Sequence, residues 1–407
     1  MARLAYGPIM IAMLLVAVAS VASFPEHAAA ECTNSGRFST WLNNFKRQAR
    51  AEGISQHTIS RALDGVALDR KIISRDRRQG FFAQSFATFS KRLATNNRIK
   101  TGRRKIGKRR EIFERAERDY GVPPEVITAF WALESDFGVG MGKYSILRAL
   151  ATLAYDCRRK ELFTGELMYA LKILDKGWVK PRDMIGSWAG EMGQTQFLPK
   201  HYLEHAVDYD GNGTRNLFKS DADIIGTTAA FIKHLGWRRG EPWLQEVRLP
   251  PNLPWEKADL SIKLPRSQWD EWGVTDAKGR PLKSDDMPTS LVIPMGRKGP
   301  AFLAYSNFDV YTQWNHSLSY CITAAYLATR IGRTGGPMQG RDRDIPALSL
   351  REAKELQRIL VRRGFDVGKI DGIIGSKTRA AVKKMQIKYG LPADSYPTPR
   401  LLRRMRG

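Results

Sequence analysis

PPEVITAFWALESDFGVGMGKYS, residues 123–145, runs from a predicted helix into a glycine-rich turn. The two prolines at its start suit the first turn of a helix, where a missing N–H group has no intrahelical partner to lose. Ile127, Phe130 and Trp131 then occupy the i, i+3 and i+4 positions of an apolar stripe. Glu134 takes the i+7 position, so the pattern predicts a carboxylate on the buried side of this helix.

Such a carboxylate has the properties of a general acid. Burial disfavours its charged form and raises its pKa, which suits a proton donor that works near neutral pH. The glycine turn, residues 136–145, follows directly, and its glycines let the backbone come close to a ligand: Gly138, Gly140 and Gly142. The alternative interpretation is that Glu134 pairs with an arginine near the end of the helix.

Enzymes that cut sugar chains usually use a pair of carboxylates, so Glu134 needs a partner. Asp136 lies about 200° around the helix and would point to a different face. Glu191 lies in GSWAGEMGQTQFLPKHY, residues 186–202. That segment is rich in residues that suit a hydroxyl-rich ligand: Ser187, Gln194, Thr195 and Gln196. Glu191 is therefore the candidate second carboxylate, and the alternative is a solvated loop residue.

The oxygen-rich loop, DYDGNGTRNLFKSDAD at residues 208–223, has the ligand spacing of a calcium loop. Oxygen donors stand at positions 1, 3, 5 and 7: Asp208, Asp210, Asn212 and the carbonyl of Thr214. Lys219 occupies position 12, where such loops close with glutamate, so Asp221 or Asp223 would have to supply the closing carboxylate. The alternative interpretation is a plain Asp-Gly turn.

The 407-residue chain carries a net charge of +25, which calls for an anionic partner: nucleic acid, a membrane surface or an acidic polymer. Its N-terminus has the features of a signal peptide at 1–30: Arg3, an apolar run at 9–22, and the small residues Ala28 and Ala30. The run is too short for a good membrane span, and no later segment is long and apolar enough. Export to the periplasm argues against nucleic acid and favours the cell wall or a lipid surface.

The sequence contains three cysteines, Cys32, Cys157 and Cys321. An oxidising compartment allows one disulfide and leaves one thiol, and the sequence leaves the pairing open. Cys32 follows the predicted cleavage site closely, which raises the question of a lipid anchor. Glu31 argues against an anchor, because a small residue is expected before a lipidated cysteine.

Periodicity predicts a mainly α-helical chain with one β-rich insert. Helical spacing covers residues 37–99, a basic stretch at 100–118, and residues 123–240, where glycine turns separate the helices. The short runs EVRLP, LSIKLP, TSLVIP and AFLAYS then predict strands within about 244–312.

The C-terminal residues form a separate predicted domain. Residues 334–346 have the composition of a linker. The C-terminal module, residues 347–407, begins with an amphipathic helix that Ser349 and Glu352 are placed to cap. A DGIIG turn leads into a second helix, SKTRAAVKKMQIKYG.

These motifs together resemble the lytic murein transglycosylase B family. The matching segments include ALESDFG, GKYSILRALATLAYDCRRKELFTGEL, GSWAGEMGQTQFLPKHYL, AVDYDGNGTRNLF and DIIGTTAAFIKHLGW, in the family's order and spacing over residues 37–332. The C-terminal module resembles the small three-helix peptidoglycan-binding domain of wall hydrolases. The resemblance implies a lysozyme-like helical catalytic domain at 31–333 that contains the β-rich insert, and peptidoglycan glycan strands as the partner.

The resemblance also implies roles for individual residues. Glu134 falls on the family's catalytic glutamate, and Ser187, Gln196 and Asn315 fall on its groove-lining polar positions. Tyr144 and Trp314 are also expected substrate contacts, because aromatic rings that line an open groove stack on sugar rings; the alternative is that they lie in the core. The chemistry needs no cofactor, but the oxygen-rich loop matches a structural calcium loop with these expected ligands: Asp208, Asp210, Asn212, Thr214 and Asp223. Two residues depart from the family pattern. Glu191 stands where a small uncharged residue is expected, and Trp314 stands where a tyrosine is often found.

In this family a single glutamate serves as acid and then as base. The resemblance implies that Glu134 protonates the bond between N-acetylmuramic acid and N-acetylglucosamine, and that the muramic C6 hydroxyl then closes onto C1 to give a 1,6-anhydro end. Two alternatives stay open. One is a hydrolytic muramidase with Glu191 or Asp136 as second carboxylate, and the other is an inactive peptidoglycan-binding or scaffolding protein. A nucleic-acid binder would require that the chain stay inside the cell.

Overall fold

The computed structural model describes residues 36–77, 85–338 and 345–407. They divide into two units. The first unit holds the described residues before residue 80 together with Thr101–Trp237, and the second holds the described residues of 80–100 together with Arg238–Gly407. The predicted signal peptide, Cys32 and part of the predicted linker lie outside the described residues.

Helices make up most of the described residues before the β-rich insert, as the periodicity predicts. In chain order they are α1 Phe38–Ala51, α2 Gln56–Leu63, α3 Arg70–Arg77, α4 Phe86–Leu93, α5 Asn96–Lys108, α6 Arg110–Tyr120, α7 Pro124–Ser135, α8 Ile146–Tyr155, α9 Lys160–Asp175, α10 Pro199–His205 and α11 Asp221–His234. Two short antiparallel strands lie among them, β1 Tyr144–Ser145 and β2 Ile185–Gly186. Within the described ranges no helix is both long and apolar enough to cross a bilayer.

The β-rich insert is a five-stranded antiparallel sheet with the strand order β4-β6-β7-β3-β5. The strands are β3 Leu244–Arg248, β4 Leu264–Pro265, β5 Thr275–Asp276, β6 Pro288–Val292 and β7 Ala301–Ala304. Each of the four predicted runs contributes one strand, and β5 and the short helix α12 Arg266–Glu271 are additions that alternation did not mark. Trp269, Leu291 and Leu303 are fully buried in the core of the insert.

Helices return after the sheet and complete the predicted mainly α fold. They are α13 Phe308–Trp314, α14 Leu318–Ile331, α15 Leu350–Arg362, α16 Ser376–Lys388 and α17 Pro399–Arg406. The last three form the C-terminal module around a core that includes Leu356, Val382 and Leu402. The predicted cap is confirmed, because Ser349 and Glu352 each accept the other's backbone N–H in a capping box.

The C-terminal module packs on the β-rich insert within the second unit. The Arg379 guanidinium on α16 donates to the carbonyl oxygens of Ile293 and Pro294, at 2.9 and 3.2 Å. Lys383, one turn later on the same helix, forms an ion pair with Asp259. Charge-assisted hydrogen bonds and an ion pair are directional, so these contacts hold the module on the insert in one defined orientation.

Candidate active site

Glu134 lies in the last turn of α7, and its side chain is 9% exposed. Ten consecutive residues of this helix, Val126–Ser135, are buried. The sequence predicted a one-sided apolar stripe, but the helix is buried on all sides, as happens when a helix runs through the middle of a domain. The carboxylate is therefore buried by the position of the whole helix as well as by its place on the stripe.

The glycine turn begins with two residues in a left-handed conformation. Asp136 ends α7 at φ 50°, and Phe137 follows at φ 60°. Neither is a glycine, so each conformation is strained and has to be held by its surroundings. The carbonyl of Ser135 accepts from the N–H groups of Gly138 and Gly140 at 3.1 and 2.7 Å, which fixes the turn directly after Glu134.

The glycine turn is joined to the polar loop, residues 186–198, through the β1–β2 ladder. Tyr144 pairs with Gly186 in this ladder. A Cβ at Gly142 would lie 2.1 Å from the carbonyl oxygen of Gly186, so the two backbones meet in a way that only glycine permits. This close approach places the polar loop beside the turn that follows Glu134.

Internal hydrogen bonds hold the polar loop in shape. The Ser187 hydroxyl is fully buried and accepts from the N–H groups of Ala189 and Glu191, both at 3.1 Å. Gln196 is at φ 52°, a third strained position in this site, and its amide donates to the Gly193 carbonyl at 2.9 Å. Ser187 and Gln196 therefore shape the loop itself, and their contact with substrate stays a prediction.

Glu191, the candidate second carboxylate, is only 4% exposed, so it is not the solvated loop residue of the alternative interpretation. Burial lowers the pKa of the Arg159 guanidinium, and the nearby charges of Asp76 and, to a smaller extent, Glu191 act to raise it. Glu191 thus lies within electrostatic reach of an arginine.

A cluster of charges beside these loops was not predicted from the sequence. Asp76 on α3 is 2% exposed and pairs with both Arg158 and Arg159. Arg75, on the same helix, places its guanidinium 5.6 Å from the ring centre of Tyr144. A run of alternating charges such as RDRR carries no signal that one aspartate will be buried, so this cluster needed the tertiary structure.

Trp314 and Asn315, the remaining predicted substrate contacts, belong to the second unit. Trp314 ends α13 and is 5% exposed. The Asn315 side chain accepts from the N–H of Ser317 at 2.8 Å and so shapes the start of α14. Their role as substrate contacts stays a prediction.

The oxygen-rich loop brings three carboxylates together. The ligand atoms of Asp208, Asp210 and Asp223 all lie within 4.8 Å of one another. Asn212 and Thr214 lie in the same tight turn, where the Asn212 side chain accepts from the Thr214 N–H at 2.8 Å. Of the two residues proposed to close the loop, Asp223 joins the cluster, whereas Asp221 pairs with Lys105 and Arg109.

The chemistry of this loop fits a hard divalent cation, since its donors are carboxylate and amide oxygens. Burial raises the pKa of Asp223, backbone N–H groups of Asn216 and Tyr209 lower it, and the charge of Asp210 raises it further. A bound cation would neutralise the repulsion between the like charges of Asp210 and Asp223.

The cysteines of the described residues are in two states. Cys157 is disulfide-bonded, whereas Cys321 is a free, buried thiol. Burial raises the pKa of the Cys321 thiol, which keeps it in the unreactive protonated form. The sequence left this division open.

Two family models match the chain. The transglycosylase SLT domain matches residues 37–329, and the putative peptidoglycan binding domain matches residues 350–405. The curated relative "membrane-bound lytic murein transglycosylase B" of Escherichia coli (strain K12) is 30% identical over 295 residues, which are 71% of this chain and 79% of that protein. Both matches extend far beyond the short motifs around Glu134.

Solved structures share the fold. SltB3 from Pseudomonas aeruginosa, in complex with NAG-anhNAM-pentapeptide, is 39% identical with a TM-score of 0.85, covering 92% of this chain and all of that one. The Escherichia coli lytic transglycosylase Slt35, in complex with calcium, is 28% identical with a TM-score of 0.60, covering 72% of this chain and 93% of that one. The first of these alignments includes both the helical part and the C-terminal module.

Proposed function

The chain belongs to the transglycosylase SLT domain family and is a peptidoglycan lytic transglycosylase, and from this premise we propose that Glu134 is its catalytic residue. The observation that carries the proposal is the position of this carboxylate, buried at the end of a buried helix and followed at once by a strained turn. Burial keeps bulk water away from this carboxylate, which suits a proton donor that works inside a substrate groove.

The proposed reaction needs one glutamate acting twice. Glu134 donates its proton to the glycosidic oxygen as the bond from C1 of N-acetylmuramic acid breaks, which releases the N-acetylglucosamine hydroxyl. The acetamido group of the substrate stabilises C1 in the meantime, an exception to the use of two enzyme carboxylates. Glu134 then takes the proton of the muramic C6 hydroxyl while that oxygen bonds to C1. The product is a 1,6-anhydro end, no water is consumed, and Glu134 is protonated again.

The substrate assignment has independent support from the relative SltB3, whose complex contains a NAG-anhNAM-pentapeptide. That ligand carries the anhydro end that the proposed reaction would make. The C-terminal module matches a peptidoglycan-binding domain, so both parts of the chain favour the same polymer. The expected substrate contacts remain Tyr144, Ser187, Gln196, Trp314 and Asn315.

The rival reaction is hydrolysis by a muramidase, which would need Glu191 or Asp136 as a second carboxylate. Glu191 is buried and within electrostatic reach of Arg159, an arrangement that suits a structural ion. Asp136 has left the helix in a left-handed conformation. Hydrolysis is the weaker proposal, because the relatives are transglycosylases and the SltB3 complex contains an anhNAM ligand.

The oxygen-rich loop is proposed to bind a structural Ca²⁺. Its ligands would be Asp208, Asp210, Asn212, Thr214 and Asp223, and the related Slt35 has been solved in complex with calcium. Bound calcium would supply charge neutralisation and rigidity to the loop, with no part in the bond-breaking step.

Export to the periplasm is part of the proposal, with a signal peptide cleaved after residue 30. The disulfide at Cys157 supports it, since such bonds persist in oxidising compartments. The net charge of +25 then favours salt-sensitive retention near the carboxylates of the wall peptides. Retention on purified sacculi should fall as salt rises, and retention independent of salt would contradict this role for the charge.

Product analysis tests the reaction. Purified mature protein and its Glu134→Gln variant are incubated with sacculi, and the soluble fragments are identified by mass spectrometry. We expect 1,6-anhydro ends from the native protein and a loss of about 10²- to 10⁴-fold in rate for the variant, the usual range for a general acid. Reducing muramic ends would establish hydrolysis, and equal sacculus binding without soluble fragments from either protein would establish a scaffolding role.

A further inference from the structure

Gln194, in the polar loop, is a buried amide that contacts the Glu134 end of α7 at three points. Its Oε1 accepts from the indole N–H of Trp131 at 2.7 Å, three residues before Glu134. Its backbone carbonyl accepts from the Ser135 hydroxyl at 2.7 Å, one residue after Glu134. A Cβ at Gly138 would lie 2.7 Å from its amide carbon, so the glycine turn also packs directly on this side chain.

The other side of Gln194 is bonded to residues 217 and 218, inside the oxygen-rich loop. Its backbone N–H donates to the Leu217 carbonyl at 2.7 Å, and its Nε2 donates to the Phe218 carbonyl at 2.9 Å. The two side-chain partners fix the orientation of the amide, because an indole N–H only donates and a carbonyl only accepts. Gln194 therefore connects the end of α7 to residues 217 and 218, and the orientation of its side-chain amide is fixed by its two partners.

Trp131 has a second connection to the same region. The ammonium group of Lys105 lies 4.4 Å from the centre of its ring, and Lys105 also pairs with Asp221 at 3.6 Å. Asp221 is the first residue of α11, directly after the Ser220 cap, and it lies in the last part of the oxygen-rich loop. The Trp131 indole therefore contacts Gln194 at its N–H edge and Lys105 over its ring face, and both of these residues are bonded to the oxygen-rich loop.

We propose that Gln194 is a positioning residue that fixes the carboxylate of Glu134 and couples its placement to the oxygen-rich loop. The inference rests on the proposed catalytic role of Glu134. Gln194 is bonded to Trp131 and Ser135, which lie on either side of Glu134 in the sequence. It is also bonded to Leu217 and Phe218 in the oxygen-rich loop, so a change in the conformation of that loop would move Gln194 and, with it, Glu134. Gln194 acts on Glu134 through Trp131 and Ser135.

The physical reason is the precision that general acid catalysis demands. A displacement of about 1 Å in a reacting group lowers a rate by about 100-fold, even when its cause is distant. Without the Gln194 amide, the Trp131 N–H and the Phe218 carbonyl would both be buried without their partner. The last turn of α7 would then rearrange or admit water, and Glu134 would lose its defined position.

Steady-state kinetics of Gln194→Met test the proposal on soluble glycan strands. Methionine keeps the length of the side chain and removes both amide bonds. We expect kcat to fall by about 10- to 100-fold while KM stays within about twofold, because placement of the acid affects the reaction more than binding. In a double-mutant cycle, Trp131→Phe should add little to the loss in Gln194→Met, since both remove the same bond.

Asn307→Leu is the matched control, because Asn307 is another fully buried amide, in the second unit. It accepts from the Arg238 N–H at 2.7 Å and donates to the carbonyls of Arg238 and Glu241 at 2.8 and 2.7 Å. We expect it to lower the melting temperature with kcat within about twofold of native. Native kcat in a folded Gln194→Met protein would overturn the proposal, whereas an active Glu134→Gln protein would overturn the proposed function instead.

Hydrogen–deuterium exchange of the native protein, with and without CaCl₂, tests the coupling without relying on activity or on a variant that folds poorly. Calcium should slow amide exchange in the oxygen-rich loop and also in residues 135–140. Protection of the loop alone, or of neither segment, would overturn the coupling. In Gln194→Met, protection should reach the loop and stop there.

Discussion

Glu166 offers a sharp test of how burial sets the pH dependence of this fold. It lies on α9, is 5% exposed, and its Oε2 accepts from the Lys200 N–H at 2.9 Å in the first turn of α10. Burial raises its pKa to about 7, against the lowering effects of that N–H and of the Lys200 charge. Since α10 follows the polar loop directly, this bond anchors the end of that loop.

The sign of the effect follows from the direction of the shift. A carboxyl whose pKa is higher in the folded than in the unfolded state stabilises the fold at low pH, and this contribution is lost as pH rises through the folded value. From the ordinary value of 4.5 to about 7, the change is about 3 kcal/mol at 1.36 kcal/mol per unit. The loss should therefore occur between about pH 4.5 and pH 7.

Glu166→Gln removes this titration and keeps a carbonyl oxygen for the Lys200 N–H. Urea unfolding of native and variant protein, followed by circular dichroism from pH 4 to pH 8, gives the difference in unfolding free energy at each pH. We expect the variant to gain about 3 kcal/mol relative to native protein across this range. The control is Glu161→Gln, which replaces an exposed carboxylate on the same helix. Across the same pH range, its unfolding free energy relative to native protein should change by less than about 1 kcal/mol. Parallel curves for native protein and Glu166→Gln would refute the reasoning.

Three further predictions concern other parts of the chain. Calcium at 100 times its dissociation constant should stabilise the native protein by about 2.7 kcal/mol and raise its melting temperature. Asp210→Asn should abolish this rise. If calcium raises the melting temperature of the variant as much as that of the native protein, the oxygen-rich loop is not the binding site. Arg379→Met leaves two backbone carbonyls without their donor and should destabilise the second unit by about 1–3 kcal/mol. Proteolysis of the linker before the C-terminal module should become faster, and an unchanged rate would contradict packing of the module on the insert. Peptide mapping without reductant should recover Cys157 in a linked peptide and Cys321 as a thiol, and the reverse labelling would contradict the assigned states.

Features that depend on a few neighbouring residues were predictable. Pro123 and Pro124 do mark the start of α7, and Ser349 does cap α15 together with Glu352. The spacing of Asp208 and Asp210 predicted a cluster of oxygen donors, which the structure contains. Each of these depends on backbone geometry within one turn or one loop, and the sequence specifies that geometry directly.

Features that depend on packing were only partly predictable. The helical stripe placed Glu134 on a buried face, but nothing local shows that Val126–Ser135 is buried on every side. The spacing of the oxygen donors also gave no way to choose between Asp221 and Asp223 as the closing carboxylate, although the family resemblance implied Asp223. That choice depends on which of them faces Lys105 on α5 and Arg109 just after it, and it is therefore decided by tertiary packing.

The sequence by itself determined most of the helices, four of the five strands of the insert, the family and the residue proposed for catalysis, because periodicity, caps and spaced motifs act over short distances. Only the tertiary structure decided the partners of the buried polar groups. Gln194 bonds to Trp131 across 63 residues, Lys200 to Glu166 across 34, and Arg159 to Asp76 across 83. A buried polar group must find a partner wherever the fold brings one, and segments far apart in sequence supply it.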